Sequence, residues 1–368
     1  MKKLLTLLAG SSLAFYMQGC SDDSSSAGEV YAELGPIYAY GTDYSAGEVR
    51  WSDDGELSDK SLQFYKDAKV VAIDSNLFVI EGAGKDNISL VDVTKNEVKW
   101  QTSLDDGANP SDVVKASKDE VWVALKDATK FVKVSVKDGK ITKSVSTEDF
   151  VQKEGQPPRL IGLAVRNDTL FALFGRYISE GWVTTYPAPG LLALYKLDEG
   201  KLLDTIKLAK KNPMAMAFAK GKLYVASHGE YNSSYGTDAD DARGIEVVDL
   251  ANRSSSMVAD GKKLGGGVFS LAVDSDNGIA YAAINKGYNE DNSGNFPVVE
   301  VNLSEKTVKE ISGVVDAEGS LAFDDVDGVL YIGDRAADAG ILVYANGVLS
   351  KSIAPKGALP PYSIAVLR

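Results

Sequence analysis

The sequence predicts an all-β fold: a seven-bladed β-propeller of four-stranded antiparallel blades, its ring closed by the C-terminal strand. Three observations predict it. Strand-length apolar runs, many β-branched or aromatic, alternate with Gly, Asn or Asp turns. The pattern repeats about every fifty residues, a period that suits four-stranded blades. Finally, the two ends of the chain are complementary: strands at residues 37–40, 48–51 and 56–62 lack a first strand, and the segment 361–368 is a first strand with nothing after it. Joined, they complete one blade and leave no open sheet edge.

Taken in chain order, residues 1–19 read as a signal peptide. Lys2 and Lys3 precede an apolar core, residues 4–15, that is too short and too interrupted to span a bilayer permanently. Residues 20–32 read as a polar tether, and 33–368 as the propeller. The composite blade, blade 1, takes the three early strands and the last one. First strands of blades 2 to 7 are read at 69–73, 112–116, 160–165, 214–218, 268–273 and 320–323. Second strands follow at 77–80, 121–124, 170–174, 223–226, 279–283 and 330–332, and third strands at 88–93, 131–136, 191–197, 245–250, 298–303 and 341–344. The fourth strands, 98–104, 141–145, 202–208, 257–258, 308–311 and 348–353, are more polar, as wet outer strands should be. No segment carries a long helical period.

Composition narrows the function classes. Of 368 residues, 44% are hydrophobic, enough for a core, and the formal charge is −13. No dense Lys/Arg run offsets that charge, which argues against a nucleic-acid partner and an anionic membrane surface. One Cys and one His leave no disulfide framework and no Cys/His zinc site.

Two resemblances follow from particular residues. Met17-Gln18-Gly19-Cys20 resembles the lipobox of bacterial lipoproteins, which implies lipidation at Cys20 and anchoring without a spanning helix. Ser21 after the Cys resembles lipoproteins sent to an outer membrane, on its periplasmic or its outer side. A secreted protein cleaved elsewhere is the alternative. Residues 213–227 (PMAMAFAKGKLYVAS) with 244–250 (GIEVVDL) resemble the YVTN-type repeat of β-propellers, a group that includes lactonase-like and quinoprotein-like seven-bladed rings. The resemblance covers most of residues 36–368. It implies fold rather than activity, since propellers carry unrelated functions.

Candidate site residues come from three long loops joining second to third strands, 175–190, 227–243 and 285–296. Long loops on a rigid scaffold are where binding resides. Their aromatic and acidic side chains, Tyr177, Trp182, Tyr186, Tyr231, Tyr235 and Tyr288 with Asp238, Asp240 and Asp291, suit a carbohydrate or a protein partner. The alternative is that the aromatics pack the loops against one another. His228, ending the second strand of blade 5, is expected to be structural or to touch ligand; no G-x-S-x-G elbow accompanies it. Residues 238–241 carry enough carboxylates for Ca²⁺, but a solvated acidic loop is the stronger reading, so no metal or cofactor is expected. The expectation is a monomeric, non-enzymatic binding or scaffold platform. The alternative is a lactonase-like or polysaccharide-acting hydrolase at the channel mouth.

Overall fold

A computed structural model describes residues 32–82, 84–336, 340–352 and 355–368. The expected signal peptide and the lipobox-like segment ending at Cys20 lie outside the described residues. Seven four-stranded sheets surround a central channel. Within each of blades 2 to 7 the strands lie in chain order from the channel outward, as in Ala68–Ile73, Asn76–Glu81, Asn87–Asp92 and Glu97–Ser103 of blade 2. The inner strands of the other blades are Pro110–Lys115, Leu160–Arg166, Pro213–Ala219, Gly267–Asp274, Leu321–Asp324 and Pro361–Val366. Each packs against the next around the circle.

The sequence explains the layering. Second strands such as Leu77–Ile80 are buried on both faces and read as unbroken apolar runs, whereas the outer strand Glu97–Ser103 is mostly exposed and polar. The apolar faces meet between blades, not within them. Seven core clusters fill the seven junctions: Phe78, Ile80 and Val123 between blades 2 and 3, for example, and Tyr224, Ile245 and Val299 between blades 5 and 6. Each sheet therefore buries its second face only when its neighbour is present.

Closure is achieved by β-pairing. Pro361–Val366 runs antiparallel to Ile37–Thr42, with Ile37 opposite Val366 and Ala39 opposite Ile364. Ser363 bonds across to blade 2 through the Val70 N–H at 3.2 Å. Arg368 ties the tail to blade 7 through Asp324 and Asp327.

Three local expectations are corrected. The strand expected at 56–62 is two short pieces, Glu56–Leu57 and Leu62–Phe64, because the Ser58 hydroxyl bonds the Lys60 carbonyl at 2.6 Å and turns the chain between them. The fourth strand of blade 5 runs Ser254–Asp260, longer than 257–258; its serine run carries no apolar signal. The 175–190 loop contains a hairpin, Ile178–Glu180 with Val183–Thr185.

Candidate functional site

All second strands end, and all inner strands begin, on one face. The three long loops rise there over the channel mouth. Beneath them lies a cavity of about 560 Å³ whose wall draws on all seven inner strands or their approaches. That size suits a small organic ligand.

Aromatic side chains frame the mouth in an arc from blade 4 round to blade 1. Tyr177 and Tyr186 lie 5.9 Å apart by ring centre, with the Arg159 guanidinium 4.9 Å above Tyr177. Asn212 donates to the Tyr186 hydroxyl at 3.4 Å. Tyr231 packs on His228 at 4.2 Å, His228 meets Phe269 at 6.1 Å, and Phe296 joins Phe269 to Tyr288 at 5.3 and 5.9 Å. Glu318 then bridges blades: it accepts from Tyr288 at 3.2 Å and from Tyr44 at 2.6 Å. Arg335 stands over the Tyr44 and Tyr362 rings at 4.7 and 5.3 Å, 3.7 Å from the Glu318 carboxylate. Tyr44, Arg159 and Tyr235 hold left-handed backbones (φ 65°, 62° and 57°), a conformation non-glycine residues adopt at some cost and which clusters at functional loops.

The electrostatics keep these tyrosines as hydrogen-bond donors. Burial pushes Tyr177 up to about 12, tempered by Arg159. Burial, and then the Glu318 charge, raises Tyr288 and Tyr231. Burial also raises Asp316, and the neighbouring Glu318 charge adds to it. One Asp316 oxygen, Oδ1, is buried with no partner among the described residues.

His228 is fully buried, and its environment fixes its state. The Asn285 amide N–H donates to Nε2 at 2.9 Å, so Nε2 is the unprotonated nitrogen and Nδ1–H donates to the Gly229 carbonyl at 3.2 Å. The Asn285 orientation is set because its oxygen accepts the Gly287 N–H at 2.8 Å. Burial accordingly lowers the His228 pKa to about 4, with Arg243 adding to the effect. A neutral imidazole whose lone pair is already bonded is no general base. A Cβ at Gly267 would collide with the His228 carbonyl, so the next blade's inner strand pins this segment.

The sequence-derived candidates separate into three groups. Tyr177, Tyr186 and Tyr231 line the cavity. His228 and Tyr288 stand behind its wall, in the aromatic arc. Trp182, Tyr235, Asp238, Asp240 and Asp291 are not in the wall. Trp182 projects fully exposed from the hairpin tip. Asp240 is held by Arg243 at 2.9 and 3.1 Å, which lowers its pKa; Asp238 accepts from Asn232 at 3.1 Å; Asp291 is held low by Ser293. Asp241 faces Lys262 at 3.5 Å. Among the described residues no group of three His, Cys, Asp or Glu side chains is placed to hold a metal ion.

Sequence reasoning missed Tyr44, Phe269, Glu318, Arg335 and Tyr362, which enter from short loops and inner strands. It also missed Lys69 and Lys126 in the cavity wall. Lys69 left a signal: a lone charge inside the apolar run Ala68–Ile73.

The sequence matches no protein-family model and no curated protein. Its shape does match solved structures. A functionally unknown protein from Desulfotomaculum acetoxidans is 11% identical, with 91% of this chain and 99% of that one covered at a TM-score of 0.60. The Pan2 WD40 domain of Neurospora crassa is 8% identical over 79% of this chain and 80% of its own, TM-score 0.55. Apo AztD from Citrobacter koseri is 12% identical over 90% and 96%, TM-score 0.54. At these identities the likeness is one of architecture, and it places the chain among the seven-bladed β-propellers.

Proposed function

We propose that this chain is a lipid-anchored cell-envelope protein that binds its ligand non-covalently at the channel mouth. One observation carries the reading: a cavity of about 560 Å³ whose rim is an arc of tyrosines held protonated and aimed inward by a fixed network. Such rims stack on sugar rings or grip a protein side chain. Tyr177→Ala with Tyr231→Ala should cut capture on a glycan array at least tenfold, with little change in melting temperature. Unchanged capture would remove the mouth from the proposal. Tyr186, buried at 9% exposure, is unsuited to such a test, since its loss would disturb packing as well.

Anchoring rests on the lipobox-like segment ending at Cys20. Cys20→Ala should move the protein from the membrane fraction to the soluble one after cell disruption. Retention in the membrane would end the lipoprotein reading. A hydrolase remains the second reading, favoured by the raised pKa of Asp316, which burial and then the neighbouring Glu318 charge produce at the mouth. Turnover on a panel of lactones and glycosides, lost in Asp316→Asn, would establish it in place of simple binding.

A further inference from the structure

The channel is polarised. Lys69, on the inner strand of blade 2, and Lys126, at the end of the second strand of blade 3, both contribute to the cavity wall. In a seven-membered ring, blades 5 to 7 stand across from them. Those blades supply Met214, Phe269, Leu271 and Leu321 to the same wall. Cationic and apolar surfaces therefore face each other across one lumen, with Tyr177 and Tyr231 at its rim.

Neither ammonium has a hydrogen bond or ion pair among the described residues. Two carboxylates are near. Asp112 spends its oxygens on the backbone N–H groups of Val113 and Leu163, at 2.9 and 2.8 Å, the second tying blade 3 to blade 4. Asp67 sits where the inner strand of blade 2 begins. Lys69 meets solvent in the lumen yet is walled in by protein. That enclosure pulls its pKa down; Asp112 and Asp67 oppose the effect and Lys126 reinforces it. A cation held against its own desolvation, without an ion-pair partner, is a site awaiting negative charge. On the opposite wall the Ser270 hydroxyl is buried without a partner among the described residues.

We infer that the cavity takes a small organic acid with a ring-bearing body: the acid group on Lys69 and Lys126, the ring against Phe269, Leu271 and the rim tyrosines. The inference rests on the reading of the mouth as a binding site and names the chemistry of its occupant. The acid group confers orientation, because Lys69 and Lys126 are the only cations among the described residues of the cavity wall. The apolar wall supplies area that a bare inorganic anion would leave unused.

Isothermal titration with two acid–amide pairs tests it. D-glucuronate against D-glucuronamide probes a sugar ring, and phenylacetate against phenylacetamide an aromatic one. At least one acid should bind ten- to hundredfold more tightly than its amide, the difference expected for a charged hydrogen bond. Lys69→Met and Lys126→Met should each erase most of that preference while the amide's own affinity holds. The wild-type comparison needs no variant, so a misfolded Lys69→Met protein does not block the test. Equal binding of acid and amide, a preference that survives both lysine substitutions, or no binding by any of the four probes would overturn the inference. Amide binding that is lost in Tyr231→Ala, without acid preference, would overturn it while leaving the mouth as a binding site.

Discussion

At the scale of single residues, His228 shows how packing decides chemistry. Its imidazole is the chain's only one, and the hydrogen bond from Asn285 fixes which nitrogen is bare. Protonation would set an N–H against an amide N–H. The folded pKa, about 4, lies below the ordinary 6.5, so the unfolded chain takes up the proton first. The resulting stability is complete above pH 6.5 and is lost as pH falls towards 4, by about 3 kcal/mol at most. Half-buried Asp112 and buried Glu246 and Asp316 have raised pKa values and work in the opposite sense, gaining stability on acidification. Comparing His228→Gln with the parent cancels them. Urea unfolding at pH 7.0 and pH 4.5 should show the variant losing less stability than the parent by roughly 2 to 3 kcal/mol. Parallel losses would contradict a neutral, buried imidazole.

At the scale of strands and loops, legibility followed burial. Second strands such as Leu77–Ile80 and Leu170–Phe174 were readable because burial on both faces leaves an unbroken apolar run. Ser254–Asp260 was barely readable because an outer strand needs no such run; its backbone is paired by the strand beside it. The mouth was half legible for a related reason. Length marked the three long loops as projecting, and Tyr177 and Tyr231 do reach the cavity. Length does not say which side of a loop faces inward, so it does not separate Tyr177 and Tyr231 from Trp182 and Tyr235, which both point to solvent. Glu318 sits on the connection that leads into the inner strand of blade 7 and Arg335 just after its second strand, and only the circle brings them beside Tyr44, 274 residues away from Glu318 in sequence. Local pattern carries no trace of that contact.

At the scale of the whole molecule, stability is shared among junctions rather than held in one core. Each blade leans on two neighbours, and the junctions on both sides of blade 1 depend on a strand from the far end of the chain. Removing Pro361–Arg368 takes away the partner of Ile37–Thr42, the Ser363 link to blade 2 and the Arg368 ties to blade 7. The truncated protein should lose its cooperative urea transition and aggregate at micromolar concentration. A truncated form with the parent's midpoint and slope would show that the ring does not need its clasp.

The clasp also sets a schedule. Ile37–Thr42 is synthesised long before its inner partner Pro361–Val366, so blade 1 stays unfinished until that strand emerges. Until that moment the nascent chain carries an unpaired strand and two uncovered apolar faces. The cell must therefore shield this polypeptide until that strand has been made, and a premature stop codon anywhere upstream of Pro361 yields material for proteases rather than a smaller working protein.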